Sequence, residues 1–224
     1  MDESTFMFVL PPLLLVPAMG ALSMIRSRHR IGEEIRRKSF HVGFGLAALS
    51  FPAMWTETWM AMFGLVCAIA WLTAVRLLPC LQHRFGAVLH DCQRKSAGEF
   101  YYALAVAGLF VVSHDNWLGY SMPLLILALA DAAAAITGRL VPSKKLRGIF
   151  AGKSLAGCLA FFVVAAAVCA ISLATQSPLG SLPIFYVTLV VATLTTLTEA
   201  TSRHGLDNLL VPFAAWLVLD ALPV

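Results

Sequence analysis

Eight apolar stretches punctuate the chain, at approximately residues 6–25, 42–54, 59–78, 100–113, 118–137, 154–174, 182–198 and 209–222. Each is a continuous run rather than an alternation of apolar and polar positions. Alternation marks the strands of a membrane barrel, whereas continuous apolar runs of about 20 residues mark helices that cross a bilayer. The pattern predicts an all-α, polytopic integral membrane protein with about eight transmembrane helices, and excludes a β-barrel. The second, fourth and last stretches are short for a full crossing. Seven spans are therefore the alternative, with some short stretches tilted or half-buried.

Composition agrees with the pattern. The 224 residues are 59% hydrophobic and 12% charged, with a mean hydropathy of +0.82. Soluble domains have roughly 45–50% apolar and about 25% charged residues. Ala18, Gly20 and Ala21 close the first stretch in the manner of a signal-peptide cleavage site. However, Asp2 and Glu3 precede it and no Lys or Arg does, so the stretch is expected to be a retained helix. With no organelle-targeting extension before it, a bacterial plasma membrane is the expected location. Cysteines 67, 80, 92, 158 and 169 form no CxxC pair, and Cys67, Cys158 and Cys169 lie in apolar runs where packing is the ordinary role. Neither repeats nor Ser/Gly-rich linkers interrupt residues 1–224, which predicts a single transmembrane domain.

Charge then sets an orientation. All 16 Lys and Arg fall in four segments. These hold Arg26, Arg28, Arg30, Arg36, Arg37 and Lys38; Arg76, Arg84, Arg94 and Lys95; Arg139, Lys144, Lys145, Arg147 and Lys153; and Arg203. With eight spans every one lies on the same side, which the positive-inside rule makes cytoplasmic, with both termini outside. Asp2, Glu3, Glu57, Asp115 and Asp220 fall on the other side.

Four polar clusters lie on the predicted cytoplasmic face. In RRKSFH (36–41), Arg37 and Lys38 share a helix face with His41 at spacings of four and three. A basic collar against anionic lipid accounts for most such runs, but His41 stands where the apolar segment begins. In RKSAGEFYY (94–102), Glu99 enters an apolar run, where an ionisable group either faces a polar cavity or complements a helix N-terminus. In the stretch from Asp131 to Gly157, Asp131 and Gly138 lie two turns apart on one face with Ala134 and Ala135 between them. Small residues there allow close approach by a backbone or a ligand. Lys153-Ser154 opens the next span, so its free N–H groups are expected to point at anionic oxygens. The segment is not a P-loop, since that motif needs glycine five positions before Gly152, where Arg147 stands, and a preceding strand. In TEATSRHGLDNLLVP (198–212), Glu199, Asp207 and Asn208 stand at two helix ends and suit a hard cation such as Mg²⁺, with Pro212 placed in the first turn of the last helix. An Asp N-cap explains Asp207 equally well, but not Glu199 at the membrane boundary. His29, His83, His90 and His204 are expected in loops, His114 on the opposite side, and Trp55, Trp59 and Trp117 as interfacial anchors, none of them a site residue.

In this order, RRKSFH, SAGEFYY, DAAAAITGR with GKSLAG, and EATSRHGLDNLLVP resemble the polyprenol kinase family over residues 36–213. That family includes phytol kinases, dolichol kinases and fungal CTP-dependent diacylglycerol kinases. The resemblance implies a polytopic enzyme that transfers a phosphoryl group from a nucleotide, commonly CTP, to a membrane lipid alcohol. A prenol such as phytol, farnesol or a polyprenol is the expected acceptor. It carries over Lys38, His41, Glu99, Asp131, Gly138, Lys153, Ser154, Gly157, Glu199, Asp207, Asn208 and Pro212. The expected catalytic set is Lys38, His41, Glu99, Asp131 and Lys153, with a carboxylate or His41 taking the hydroxyl proton and Glu99 narrowly preferred. Gly138, Arg139, Lys153, Ser154, Gly157 and Asn208 are expected at the nucleotide phosphates, and Asp131, Glu199 and Asp207 at Mg²⁺. Nucleotide and lipid alcohol are the expected partners, with no nucleic acid; the sequence sets no oligomeric state. Pro142-Ser143 departs from the family's usual second glycine and bears on loop geometry. A CDP-lipid-forming cytidylyltransferase and diacylglycerol as acceptor are the alternatives, though the GHGG-like segment of the former is missing. A transporter is a further class, but it calls for charges near mid-bilayer or broken helices.

Overall fold

The computed structural model describes residues 30–82, 97–113, 116–150 and 152–221. The predicted first span, His29, Arg26, Arg28, Arg84, Arg94, Lys95, Cys92, His83, His90, His114 and Asp115 lie outside the described residues. Among those described the chain is helical, with no strand. We number the helices α1 Arg30–Ala48, α2 Phe51–Met54, α3 Thr58–Leu77, α4 Gly98–Val112, α5 Trp117–Leu140, α6 Leu155–Gln176, α7 Ser181–Thr201 and α8 Asp207–Asp220. Four of them, α3, α5, α6 and α7, are long and apolar enough to cross a membrane. α4 has 15 residues and α8 has 14, short of a full crossing.

The predicted stretch 42–54 is not one element. α1 begins well before it, so RRKSFH lies within the helix body rather than before it. The chain then turns at Leu49-Ser50, and Pro52 stands second in the four-residue α2, as suits a residue with fixed φ and no N–H to donate. Trp55 also departs from expectation. It is 6% exposed and packed against Phe51, whereas Trp59 and Trp117 are exposed as anchors should be.

α5 is the hub. About 61% of its apolar window is buried, against 17–28% for α3, α6 and α7, because two cores share it. Leu118, Met122, Ile126 and Ala130 pack with α6, α7 and α8 around Phe161, Val191 and Val211. Tyr120, Leu124 and Leu127 pack with α1 to α4 around Phe51, Val106 and Phe110. Lipid tails are as apolar as these side chains, so association rests on close packing and satisfied polar groups rather than on exclusion of water. Gly45 shows how close. A Cβ there would lie 2.6 Å from Ala128 Cβ and 2.5 Å from Tyr102 Oη. Tyr120 Oη donates to Ala48 O at 2.7 Å, satisfying a carbonyl at the end of α1.

α5 is not a uniform α-helix. Pro123 lies inside it, and one turn later Ile126–Ala130 forms a π turn. Proline removes one rung of the ladder, and π turns widen the backbone at functional sites more often than elsewhere. Asp131 follows the π turn directly, so it sits in the body of a continuous helix rather than toward its end.

Candidate active site

A cavity of about 1470 Å³ opens among α1, α3, α4, α5, the 141–154 loop and the α7–α8 turn. Every site residue expected from the sequence lines it: Lys38, His41, Glu99, Asp131, Gly138, Arg139, Lys153, Ser154, Gly157, Glu199, Asp207 and Asn208. One limb is charged. The other, lined by Phe44, Phe51, Trp55, Ala61, Gly64, Leu65 and Val106, is apolar.

The charged limb contains two clusters. In the first, Lys38 pairs with Asp131, and both side chains are under a tenth exposed. His41 Nε2 lies 3.3 Å from Asp131 Oδ2 and 3.2 Å from Leu127 O in the π turn. A carbonyl can only accept, so Nε2 carries a proton and the second ring nitrogen, Nδ1, is the one with a lone pair when the ring is neutral. Tyr102 fixes the backbone behind it by donating to His41 O at 3.1 Å, with its ring 4.3 Å from the imidazole.

The second cluster depends on the loop between α5 and α6. Pro142 forces extended backbone at Val141 and stops α5 there. The loop folds back on itself through Leu146 N to Lys153 O at 2.8 Å, with Gly148 and Gly152 at φ +70° and +73°. Arg203 of the α7–α8 turn donates to Gly148 O at 3.2 Å. Lys153 is thereby set between two carboxylates, 2.5 Å from Glu199 Oε1 and 3.3 Å from Asp207 Oδ2. Burial works against the Lys153 charge, but Glu199 and Asp207 outweigh it and hold its pKa above the ordinary lysine value. Glu199 Oε2 is buried and, among the described residues, accepts no hydrogen bond.

The N-terminus of α6 corrects one expectation. Its first N–H groups are taken, Leu155 N by Lys144 O at 3.0 Å, Ala156 N by Ser143 Oγ at 3.1 Å and Gly157 N by Ser154 Oγ at 3.1 Å. Ser154 is an N-cap, and Ser143, at the departure from the family pattern, is a second cap. Gly138 and Gly157 meet where α5 crosses α6. A Cβ on Gly157 would lie 3.0 Å from Ala134 O, and one on Gly138 would lie 2.7 Å from Ser154 Oγ. These residues build the helix crossing beneath Lys153, and their backbone donors are already spent.

Asn208 also has a structural bond, its Nδ2 donating to Gly98 O at 2.8 Å and tying α8 to the start of α4. Pro212 is buried one turn further into α8 than expected. Glu99 accepts from Arg76 Nη2 at 2.7 Å. Sequence reasoning passed over Glu34, which is buried and bridges Arg37 Nη2 at 2.6 Å and Arg139 Nη2 at 2.8 Å. The available signal was its position four residues before Lys38 and seven before His41, on the same helix face.

The carboxylates do not assemble as one ligand set. Among the described residues no group of three His, Cys, Asp or Glu is placed to hold a metal, and Asp131 belongs to Lys38 and His41 instead. Glu199 and Asp207 do fit a cation as a pair. Both flank the Lys153 ammonium, which stands where a cation is attracted, and Glu199 offers an unused oxygen. Mg²⁺ commonly takes one or two carboxylates and completes its shell with water and phosphate oxygens.

No family model, curated protein or solved structure matches the chain.

Proposed function

We propose that the protein is a membrane lipid-alcohol kinase that transfers a phosphoryl group from a nucleotide, CTP by preference, to a prenol such as phytol, farnesol or a polyprenol. The observation that carries this reading is the single cavity in which a limb of ion-paired side chains continues into an apolar limb between helices. Such a cavity suits a ligand with a polar head and a hydrocarbon tail. The resemblance of RRKSFH, DAAAAITGR and EATSRHGLDN to polyprenol kinases supplies the reaction class. In this reading the chain spans a bacterial plasma membrane eight times, with the charged limb facing the cytoplasm.

Phosphoryl transfer depends on positioning and on stabilising charge at the transferred group. Lys153 and Arg139 bind phosphate oxygens by exchanging their carboxylate partners for those of the nucleotide. Glu199 and Asp207 are the residues that would hold Mg²⁺, which would supply charge neutralisation at the phosphates. Asp131 and Leu127 O orient His41 with Nε2 protonated, and Nδ1 accepts the proton of the lipid hydroxyl. Glu99 is engaged by Arg76, which favours His41 as the base.

The test is transfer of label from γ-labelled CTP or ATP to phytol, farnesol, polyprenol and diacylglycerol by purified protein in lipid nanodiscs. Wild type is expected to label a prenol, and Lys153→Ala, Asp131→Ala and Asp207→Ala each to lower the rate about 100-fold or more. Near-normal rates in folded variants would overturn the assignment, and label reaching lipid from the α position would identify a cytidylyltransferase.

A further inference from the structure

The apolar limb of the cavity runs along α3 and reaches Trp55. Ala61, Gly64, Ala68 and Leu72 line it from α3 at spacings of three and four, so one face of that helix forms its wall. Ala61 and Leu72 are eleven positions apart, which is about 17 Å of helix rise. Just beyond Leu72, Arg76 pairs with Glu99 at the charged limb. At the other end the chain enters α3 from Trp55, whose indole lies across Gly64. A Cβ at Gly64 would come within 2.7 Å of Trp55 Cη2. The indole is held in place, stacked on Phe51 at 4.3 Å and edge-on to Phe110 at 6.2 Å.

Two features identify the occupant. The limb is continuous with a cluster of charged groups, so the ligand has a polar head and an apolar remainder in one molecule. The stretch of α3 that walls the limb rises about as far as the ~15 Å of hydrocarbon in one leaflet. A tail drawn into this limb exchanges one apolar surrounding for another, so the limb gains little by attraction and discriminates by shape. We propose that this limb is the tail slot of the acceptor alcohol, that Trp55 is its floor, and that the acceptor is a prenol with a tail no longer than one leaflet. The proposal rests on the lipid-alcohol reading above and narrows its acceptor to farnesol- or phytol-length alcohols rather than long polyprenols.

The slot is tested without reference to turnover, using a farnesol-length alcohol with a diazirine at the tail end, photolysed with the full-length protein in nanodiscs. The expected label falls on the segment containing Trp55 and Ala61. Farnesol and phytol are expected to compete at concentrations at least tenfold lower than undecaprenol. Ala68→Phe, which fills the slot halfway along, is expected to cut labelling at least tenfold. Trp55→Ala is expected to reduce the discrimination against undecaprenol to under threefold. Should Trp55→Ala not fold, Ala68→Phe and the wild-type competition decide the matter. Labelling elsewhere, equal competition by undecaprenol, or labelling unchanged in Ala68→Phe would each overturn the slot. Labelling in the slot with no γ-phosphoryl transfer to any alcohol would instead sink the kinase reading and leave the slot standing.

Discussion

The two charged clusters of the cavity use the same residue types to opposite effect. Around Asp131 a single carboxylate faces Lys38 and His41, and the pair is almost fully enclosed. Around Lys153 a single ammonium faces two carboxylates, it is 30% exposed, and one Glu199 oxygen has no hydrogen-bond partner among the described residues. The first cluster is satisfied internally and can orient the imidazole beside it. The second has one ammonium for two carboxylates and is open at Lys153, although Glu199 itself is buried. Removing a partner from an enclosed pair strands a charge in a poorly polarisable surrounding, whereas an open pair is relieved by water.

The largest effect should therefore come from Lys38. Lys38→Met leaves Asp131 buried without its cation, and the expected loss is about 3–5 kcal/mol of stability, read as a lowered melting temperature in detergent. Adding Asp131→Leu to that variant should recover most of the loss, since the penalty belongs to the stranded charge and not to the missing pair. A single variant that melts like wild type would show that the first cluster is as open as the second.

Lys153→Met probes the other side of the comparison. The expected cost is about 2 kcal/mol, above that of an exposed pair because Glu199 is only 4% exposed and below that of an enclosed one because Lys153 is 30% exposed. Millimolar Mg²⁺ should then raise the melting temperature of the variant more than that of wild type, because a ligand that binds only the folded state stabilises it. The ammonium no longer competes for Glu199 and Asp207 in that variant. Equal shifts in both proteins would remove these two carboxylates from the cation-binding role.

How much of this was legible in the sequence follows from the same physics. Long apolar runs announced α3, α5, α6 and α7 because a bilayer rewards uninterrupted apolar helix, and their ends fell within a few residues of expectation. α1 was misjudged because a helix can run through RRKSFH as readily as through apolar residues, and hydropathy marks only its greasy part. Site residues were legible as residues that are costly near a membrane. Their grouping was not, since spacing along the chain says nothing about whether Asp131 reaches Lys38 or Glu199. Ser154 and Gly157 matched a phosphate-binding expectation by type, yet the hairpin made by Pro142, Gly148 and Gly152 consumes the α6 donors. Trp55 was placed at the interface by its position next to α3, and the turn after α1 folds it inward instead.

The smallest expected effect concerns Glu34, which stands between the two clusters by holding Arg37 on α1 and Arg139 near the end of α5. Burial opposes its ionisation, but the bonded Arg37, with Lys38 and Arg139, prevails and holds its pKa below the usual 4.5. A carboxyl whose pKa is lower in the folded state binds protons more readily when unfolded. Its contribution is thus complete above the unfolded value and fades as pH falls through the folded one. Wild type should exceed Glu34→Gln in stability at pH 7, with the gap narrowing below about pH 4.5. Titrating the melting temperatures of both proteins from pH 7 to pH 3 measures that gap. If it stayed constant across the range, the bridge would be held by neutral hydrogen bonds, and the two clusters would be joined by shape alone rather than by charge.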